Sequence, residues 1–347
     1  MPESATRQLS LFAEDRANLP LKDDRVLMEH PFFSLEKKPQ MKPIFYQHDD
    51  VEIIVEPGPR GVATIWDKEV LIYIASILNE RIERGEIPSH KIRFVAADFL
   101  KRTKRSTGKR GYELLLNALD RLRNTSIRTT IASGDEKERR GFGWIESWRT
   151  IDRTLPNGKT VMVAVEVTLS DWVFRAITRD RRVLTIHDEY FTMSKGLARR
   201  FYELARKHCG RQKSWSISLP RLKDKCGSNR EIRRFKADVV SLIRENCLPE
   251  YTMEINVARD PARSRITFRP KKLINKTSAS QRPKLKGSFE LSVHTLIDAK
   301  ESYPNYDIQH IEQEWRAWAQ KKHKDAPLNP DKAFLAFCTR YVANHPI

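Results

Sequence analysis

Cysteine is scarce in this 347-residue chain, and the four cysteines stand far apart, at positions 209, 226, 247 and 338. A structural zinc site needs clustered ligands, usually with closely spaced cysteine pairs. No such pair occurs, and His208–Cys209 is the only place where a cysteine adjoins a histidine. We therefore expect inert thiols, with no metal site and no cofactor.

Long apolar runs are also missing. A helix that crosses a bilayer needs about 20 predominantly apolar residues, and no stretch of the sequence approaches that length. The sequence begins Met1-Pro2-Glu3-Ser4, without the basic and apolar segments of a secretory signal. These absences predict a cytoplasmic protein with no membrane partner.

Catalytic signatures are absent as well. Ser106–Lys109 has the composition of a phosphate-binding loop, but no glycine precedes it at the required spacing and Arg110 follows the lysine. The chain has no His-Glu-x-x-His sequence, and His187–Tyr190 lacks the histidine pair of a nicking replication protein. The sequence therefore predicts a protein that is not an enzyme.

Positive charge, by contrast, is abundant. The chain carries 64 Lys and Arg against 45 Asp and Glu, a net charge of +19. Residues 194–276 alone hold 22 basic and 8 acidic side chains, a net charge of +14. A charge concentrated in this way favours a defined surface for a polyanion. Because the membrane interpretation is weak, double-stranded DNA is the expected partner.

Hydrophobic periodicity divides the chain into segments. Residues 1–43 are polar and contain proline, which predicts a flexible arm. Residues 44–175 show the element order of a winged helix-turn-helix, with apolar residues at helical or alternating spacing. The predicted elements are helices 67–84, 96–102 and 109–124, a strand at 91–95, and strands 126–133, 143–151 and 161–169.

The same order recurs in residues 176–272. Helices are predicted at 194–208, 220–225 and 230–246, a strand at 215–219, and a hairpin from 251–258 and 264–269. Residues 273–288 are predicted to form a basic linker, and 289–347 a small helical C-terminal domain. The predicted fold class is therefore α+β, with tandem winged helix-turn-helix domains between an arm and a helical domain.

Basic residues cluster at both predicted helix-turn-helix turns. The second helix of this motif enters the major groove, where Arg reads guanine and Asn reads adenine. Candidate base readers in the second domain are Ser228, Asn229, Arg230, Arg233, Arg234 and Lys236. Candidate phosphate contacts are Lys213, Arg221, Lys223 and Lys225. In the first domain the candidate DNA contacts are Lys101, Arg102, Lys104, Arg105, Lys109 and Arg110. The alternative for each cluster is a solvated basic helix face.

One apolar peptide, Gln8-Leu9-Ser10-Leu11-Phe12, stands out in the polar N-terminal residues. Leu and Phe anchors with a Gln at the rim are typical of short peptides that dock on a folded partner. The alternative is an isolated apolar turn.

These features resemble the plasmid replication initiator protein A family over most of residues 40–272. The resemblance is carried by the tandem winged-helix pattern, the basic second recognition helix, and the run from Trp66-Asp67-Lys68-Glu69 to the 251–269 hairpin. It implies binding to direct repeats, called iterons, at a plasmid origin. The second winged helix would read the major groove, and the first would add DNA contacts and form a homodimer.

The resemblance also suggests host partners. Gln8, Leu9, Leu11 and Phe12 look like the peptide with which bacterial replication proteins bind the DNA polymerase sliding clamp. The host initiator and the replicative helicase are further candidates for recruitment. Two other functions stay open at this point: a winged-helix transcriptional repressor, and a nicking replication enzyme.

Overall fold

A computed structural model describes residues 19–131, 140–154, 158, 160–178, 183–210, 212–258, 260–271, 291, 293–303, 306–322 and 330–345. The chain divides into two compact units, Met1–Lys272 and Leu273–Ile347. The first unit holds both predicted winged-helix regions. The peptide Gln8–Phe12 lies outside the described residues.

The N-terminal segment is not a flexible arm from residue 19 onward. It forms strand β1 (Lys22–Asp24) and the short helix α1 (Arg25–Glu29). The Asp24 carboxylate caps α1 by accepting hydrogen bonds from the backbone N–H groups of Val26 and Leu27. Apolar side chains of this segment are fully buried in the core, namely Leu21, Met28 and Phe32. The prediction of a flexible arm is therefore wrong for these residues, because they pack against the rest of the chain. The sequence does not indicate this packing, since their apolar residues follow neither helical nor strand spacing.

The first module of the unit runs from β2 to β8. Its first elements are β2 (Ile44–His48), β3 (Val51–Glu56), α2 (Lys68–Glu83), β4 (Lys91–Val95), α3 (Ala96–Arg102) and α4 (Lys109–Asn124). The last four are β5 (Ser126–Thr129), β6 (Arg140–Phe142), β7 (Ile145–Thr154) and β8 (Thr160–Leu169). Helices α2, α3 and α4 begin and end within a residue of the predicted bounds.

The strands of this module form two antiparallel sheets. One has the order β2-β3-β5-β6 and the other the order β4-β8-β7. The break between them falls at Trp144, which is fully buried and stacks on Phe33 with ring centres 4.7 Å apart. The predicted strand 143–151 therefore starts after this tryptophan and pairs with β8, while β5 pairs with β6.

A connection of α5 (Asp171–Thr178), β9 (Val183–Thr185) and a 3-10 turn (Asp188–Thr192) leads to the second module. Strand β9 pairs with β1. The second module then consists of α6 (Gly196–Cys209), β10 (Trp215–Ser218), α7 (Leu219–Lys225), α8 (Ile232–Glu245), β11 (Tyr251–Asn256) and β12 (Arg265–Pro270). Its sheet has the order β10-β12-β11.

The two modules repeat one topology. In each, a helix is followed by a strand, two further helices and a β-hairpin, and the single strand pairs with the second strand of the hairpin. In the first module, β5 and β6 of the other sheet stand between the last of these helices and the hairpin. Strand β4 and helix α3 thus correspond to β10 and α7. The weak internal repeat in the sequence therefore reflects two copies of the same chain path.

Buried ion pairs link the modules across the shared core. Lys68 on α2 has no exposed surface, and its Nζ lies 2.5 Å from Asp23 Oδ2 and 2.9 Å from Glu203 Oε1 on α6. Arg199 on α6 donates to Glu69 on α2. Buried charges are costly unless paired, so these contacts hold β1, α2 and α6 in one arrangement.

The second unit is considered by itself, and its described residues form three helices: α9 (Val293–Ser302), α10 (Ile308–Lys322) and α11 (Pro330–Asn344). Its core includes Ile311, Trp315, Phe334 and Cys338, all buried. Pro330 occupies the first helical position, where its missing N–H costs nothing. Across the described parts of both units, no helix is long and apolar enough to cross a membrane.

Candidate nucleic-acid interface

Helix α8 carries the main candidate residues on its outer face. Its inner face buries Phe235, Val239 and Leu242 in the core, which fixes the orientation of the helix. Arg233 and Arg234, in the first turn, therefore point to solvent and are exposed. Two adjacent exposed guanidiniums at the start of a helix can reach base edges or phosphates without breaking an internal contact.

The residues before α8 belong to its entry turn. The sequence predicts a helix from residue 230, but α8 begins at Ile232, so Ser228, Asn229 and Arg230 precede it. Asn229 and Arg230 are exposed, and Lys236 is half-buried one turn into the helix. The Arg230 guanidinium lies 2.8 Å from Asp238 Oδ2 and would have to leave this surface ion pair to contact a base.

The four predicted phosphate contacts around α7 divide into two groups. Lys213 is exposed and Lys223 half-buried, so both ammonium groups can reach a ligand at the surface. Arg221 instead donates to the Tyr46 hydroxyl at 2.9 Å and lies over that ring. Lys225 is 6% exposed and ion-paired with Glu29 of α1. Its prediction as a DNA contact is wrong, because the side chain is buried and already paired with a carboxylate. The sequence does not reveal this pair, since Glu29 lies in a distant segment of the chain.

Burial and the positive charges near α7 together affect the pKa of a neighbouring histidine, His30. His30 lies in the same region, with its ring edge-on to Tyr46 at 5.5 Å. Burial lowers the pKa of His30 to about 3, and the positive charges of Lys225, Arg200 and Arg221 add to the shift. The imidazole is therefore neutral at physiological pH and does not contribute to the basic surface.

The predicted cluster in the first module divides in the same way. Exposed side chains around the turn from α3 to α4 are Lys101, Lys104, Lys109 and Arg110. Arg102 donates to the Leu19 carbonyl and to Asp188, and Arg105 pairs with Glu69 and donates to the Trp66 carbonyl. These two arginines hold the fold together and are not available to DNA, which corrects the prediction for both.

Another set of basic residues lies beside α8 and is not predicted from the sequence. Lys37, Lys38 and Lys42 are exposed in the segment before β2. A cleft of about 850 Å³ is lined by Lys37 and Lys42 and by residues 226–230 at the entry to α8. The sequence shows the lysines, but it does not show that they lie across a cleft from a turn more than 180 residues away.

Comparison with known proteins identifies the family. Residues 22–253, well over half of the chain, match the model of the family described as replication initiator protein A. The chain belongs to this family. This membership confirms the family resemblance predicted from the sequence. The match begins at Lys22, which is the first residue of β1. The N-terminal segment is therefore part of the replication initiator protein A region itself.

A relative of this initiator protein is a putative replication protein of Wigglesworthia glossinidia brevipalpis. It is 36% identical over 250 residues, which cover 72% of this chain and 90% of that protein. The similarity therefore extends over most of the length of both proteins.

Solved structures show likeness in fold. The crystal structure of domains 2 and 3 of RctB matches with a TM-score of 0.51 at 12% identity, over 74% of this initiator protein and 98% of that chain. The crystal structure of the Pi initiator protein in complex with iteron DNA matches with a TM-score of 0.44 at 17% identity. The match covers 60% of this chain and 92% of that chain. The second match is too distant to carry an argument about this chain. The first supports a shared mixed helix and sheet architecture.

Proposed function

We propose that this replication initiator binds repeated sequences at a plasmid origin, with each module acting as a winged helix. Helix α8 would enter the major groove, as the second helix of a helix-turn-helix does. The observation that most supports this proposal is that Arg233 and Arg234 are exposed at the start of α8, while the opposite face of the helix is buried in the core. The repeated topology of the modules supports a tandem arrangement on duplex DNA.

The first module would hold the DNA backbone. Lys101, Lys104, Lys109 and Arg110 are exposed at the turn equivalent to the one before α8. Contacts to phosphate position a protein without carrying sequence information. The same module is proposed to form the homodimer contact. The proposal assigns no nucleophile and no metal site, and treats the protein as a binder and not as an enzyme.

Salt dependence of binding tests the electrostatic part of the proposal. Purified protein would be titrated onto duplex DNA from the region that flanks its own gene, at a series of salt concentrations. Each neutralised phosphate contributes about −0.9 to the slope of log K against log salt. We expect a steep negative slope with several phosphates neutralised. A flat response would contradict DNA binding through these surfaces.

A strand-cleavage assay tests the proposed absence of enzymatic activity. Supercoiled plasmid carrying the same region would be incubated with the protein and Mg²⁺. We expect the plasmid to stay supercoiled, because binding alone breaks no phosphodiester bond. Nicked circles that appear with the protein and not with buffer would favour the nicking enzyme instead.

We further propose that Gln8, Leu9, Leu11 and Phe12 bind the DNA polymerase sliding clamp, and that the host initiator and helicase are recruited at the origin. A few buried apolar anchors carry most of the affinity of such peptide interfaces. Changing Leu11 and Phe12 to Ala should abolish pull-down of the clamp while DNA binding is retained. Undiminished pull-down would show that the peptide is not the clamp-binding element.

A further inference from the structure

The cleft beside α8 has one wall from each of two distant segments. Lys37 and Lys42 belong to the segment before β2, which we call the basic segment (residues 36–42). Ser228, Asn229 and Arg230 belong to the entry turn of α8, and all five residues line the same cleft. The basic segment thus lies alongside the part of the second module that is proposed to enter the major groove.

The basic segment is held in place by backbone contacts. The Gln40 carbonyl accepts a hydrogen bond from the Val62 N–H at 2.9 Å, and the Gln40 side-chain amide donates to the Lys42 carbonyl at 3.0 Å. On its N-terminal side, the Leu35 carbonyl approaches Gly196 of α6 so closely that a Cβ there would lie 2.1 Å from it. These anchors place the segment against the second module as a fixed element of the surface.

The entry turn of α8 is also in direct contact with the residues on both sides of the basic segment. A Cβ built on Gly227 would lie 3.0 Å from a side-chain atom of Pro31 and 3.1 Å from one of Ile44. Gly227 itself has a φ of +61°, which favours glycine. The spacing between the basic segment and α8 is therefore set by packing.

Lys37 and Lys42 line the cleft, and Lys38 is exposed in the same basic segment. Lys37, Lys38 and Lys42 have no ion-pair partner among the described residues, and Lys37 Nζ lies 5.5 Å from the centre of the Trp66 ring. Across the cleft, Arg230 is paired with Asp238 and Lys195 with Glu245. Glu36 is the single acidic residue of the segment, so three lysines leave a net charge of +2 there.

We propose that Lys37, Lys38 and Lys42 bind the phosphate backbone of the same duplex whose bases α8 reads. The major groove is about 12 Å wide, so a helix that enters it brings the phosphates of the groove edge close to its own entry turn. Lysines on a fixed wall beside that turn can neutralise those phosphates. This inference rests on the proposed function and assigns the DNA-binding surface a third element outside both helix-turn-helix motifs.

The test compares three variants of the full chain with the wild type. The first replaces Lys37, Lys38 and Lys42 together with Gln, which removes charge and keeps chain length. The second is Lys91→Gln, an exposed lysine at the start of β4 that serves as the control. The third is Arg233→Ala on α8. Affinity would be measured across salt concentrations on a duplex from the region flanking the gene and on a mixed-sequence duplex of equal length.

The triple variant should weaken binding to both duplexes and make the salt slope shallower by about 0.9 for each phosphate that the lysines no longer neutralise. Lys91→Gln should match the wild type, and Arg233→Ala should show a weaker preference for the flanking-region duplex, because one base position is no longer read. If the triple variant keeps the slope and affinity of Lys91→Gln while Arg233→Ala weakens that preference, the proposed function stands and this inference is wrong. If no protein, wild type included, binds either duplex, the proposed function itself fails.

Discussion

At the scale of single residues, side chains of one type have different roles according to what faces them. Arg105 meets the buried carboxylate of Glu69, with Arg105 Nε 2.6 Å from Glu69 Oε2, and so holds α2 to the turn after α3. Arg233 is exposed to solvent. Both stand in basic clusters beside a predicted turn, so the sequence alone does not distinguish them. The carboxylate that pairs with Arg105 lies 36 residues away in the chain, and only folding brings the two together.

The proposal that α8 reads bases leads to a prediction for specificity. Arg233→Ala or Arg234→Ala should cost about 1–3 kcal/mol of binding to the specific site and relax preference at one base position, because the truncated side chain can no longer donate to a base edge. Lys223→Ala should weaken binding to all duplexes alike. Competition binding against single-base variants of the site measures both effects. Indistinguishable behaviour of the Arg and Lys variants would mean that α8 does not read bases.

The ion pairs of Lys68 lead to a prediction for stability. Lys68→Met should lower the free energy of unfolding by about 3–5 kcal/mol, because it leaves Asp23 buried without its cation and removes one of the two cations paired with Glu203, the other being Arg200. Burial already raises the pKa of Asp23 to about 7, against the lowering effect of Lys68. Urea unfolding measures the loss. Lys91→Met, at an exposed position, should change stability by no more than about 0.5 kcal/mol. Equal effects of the two changes would contradict the linking role of Lys68.

His30 leads to a prediction for pH dependence. Its pKa is about 3 in the folded protein and 6.5 in a solvated chain. Above pH 6.5 both states are neutral, and below it the unfolded state gains a proton that the folded state does not bind. The free energy of unfolding should therefore decrease as the pH is lowered from 6.5 to 3, by up to about 1.4 kcal/mol per pH unit from this residue. His30→Gln should show a shallower fall in urea unfolding between pH 6.5 and 3. A parallel fall in both proteins would exclude this histidine as the cause.

At the scale of elements, regular periodicity predicts well and irregular packing does not. Helices α2, α3 and α4 and the order of the second module follow from apolar spacing and turn residues. Strand β1 and helix α1 have three and five residues, too few for a periodic signal. Their burial depends on long-range contacts, such as the pairing of β1 with β9. The same long-range contacts decide that Lys225 is buried and that Lys37 lies beside α8, so this part of the interface could not be predicted.

The N-terminal segment leads to a matched pair of substitutions. Phe32 has no exposed surface, whereas Phe45 on the edge strand β2 is 69% exposed. Phe32→Ala should cost about 3–5 kcal/mol of stability, because it leaves a cavity in the shared core. Phe45→Ala should cost no more than about 0.5 kcal/mol. Thermal or urea unfolding compares the two, and a harmless Phe32→Ala would restore the view of residues 19–43 as an arm.

At the scale of the whole molecule, charge and core have different distributions. One hydrophobic core joins both modules of the first unit, and buried ion pairs hold α2 against α6. The positive charge is concentrated in residues 194–276, which contain the second module. The family match ends at residue 253 and so does not include the second unit. Every residue that is proposed to contact DNA lies between Lys37 and Lys236, within the first unit.

Footprinting on the plasmid that carries the gene tests the central proposal most directly. Wild-type protein should protect a set of repeated sites with a common sequence, in register with one another along the helix. The double variant Arg233→Ala, Arg234→Ala should lose this pattern while keeping weak, sequence-independent binding through the remaining lysines. Protection that shows no repeated sequence, or the same repeats protected by the double variant, would contradict the account of α8 as the element that recognises the origin.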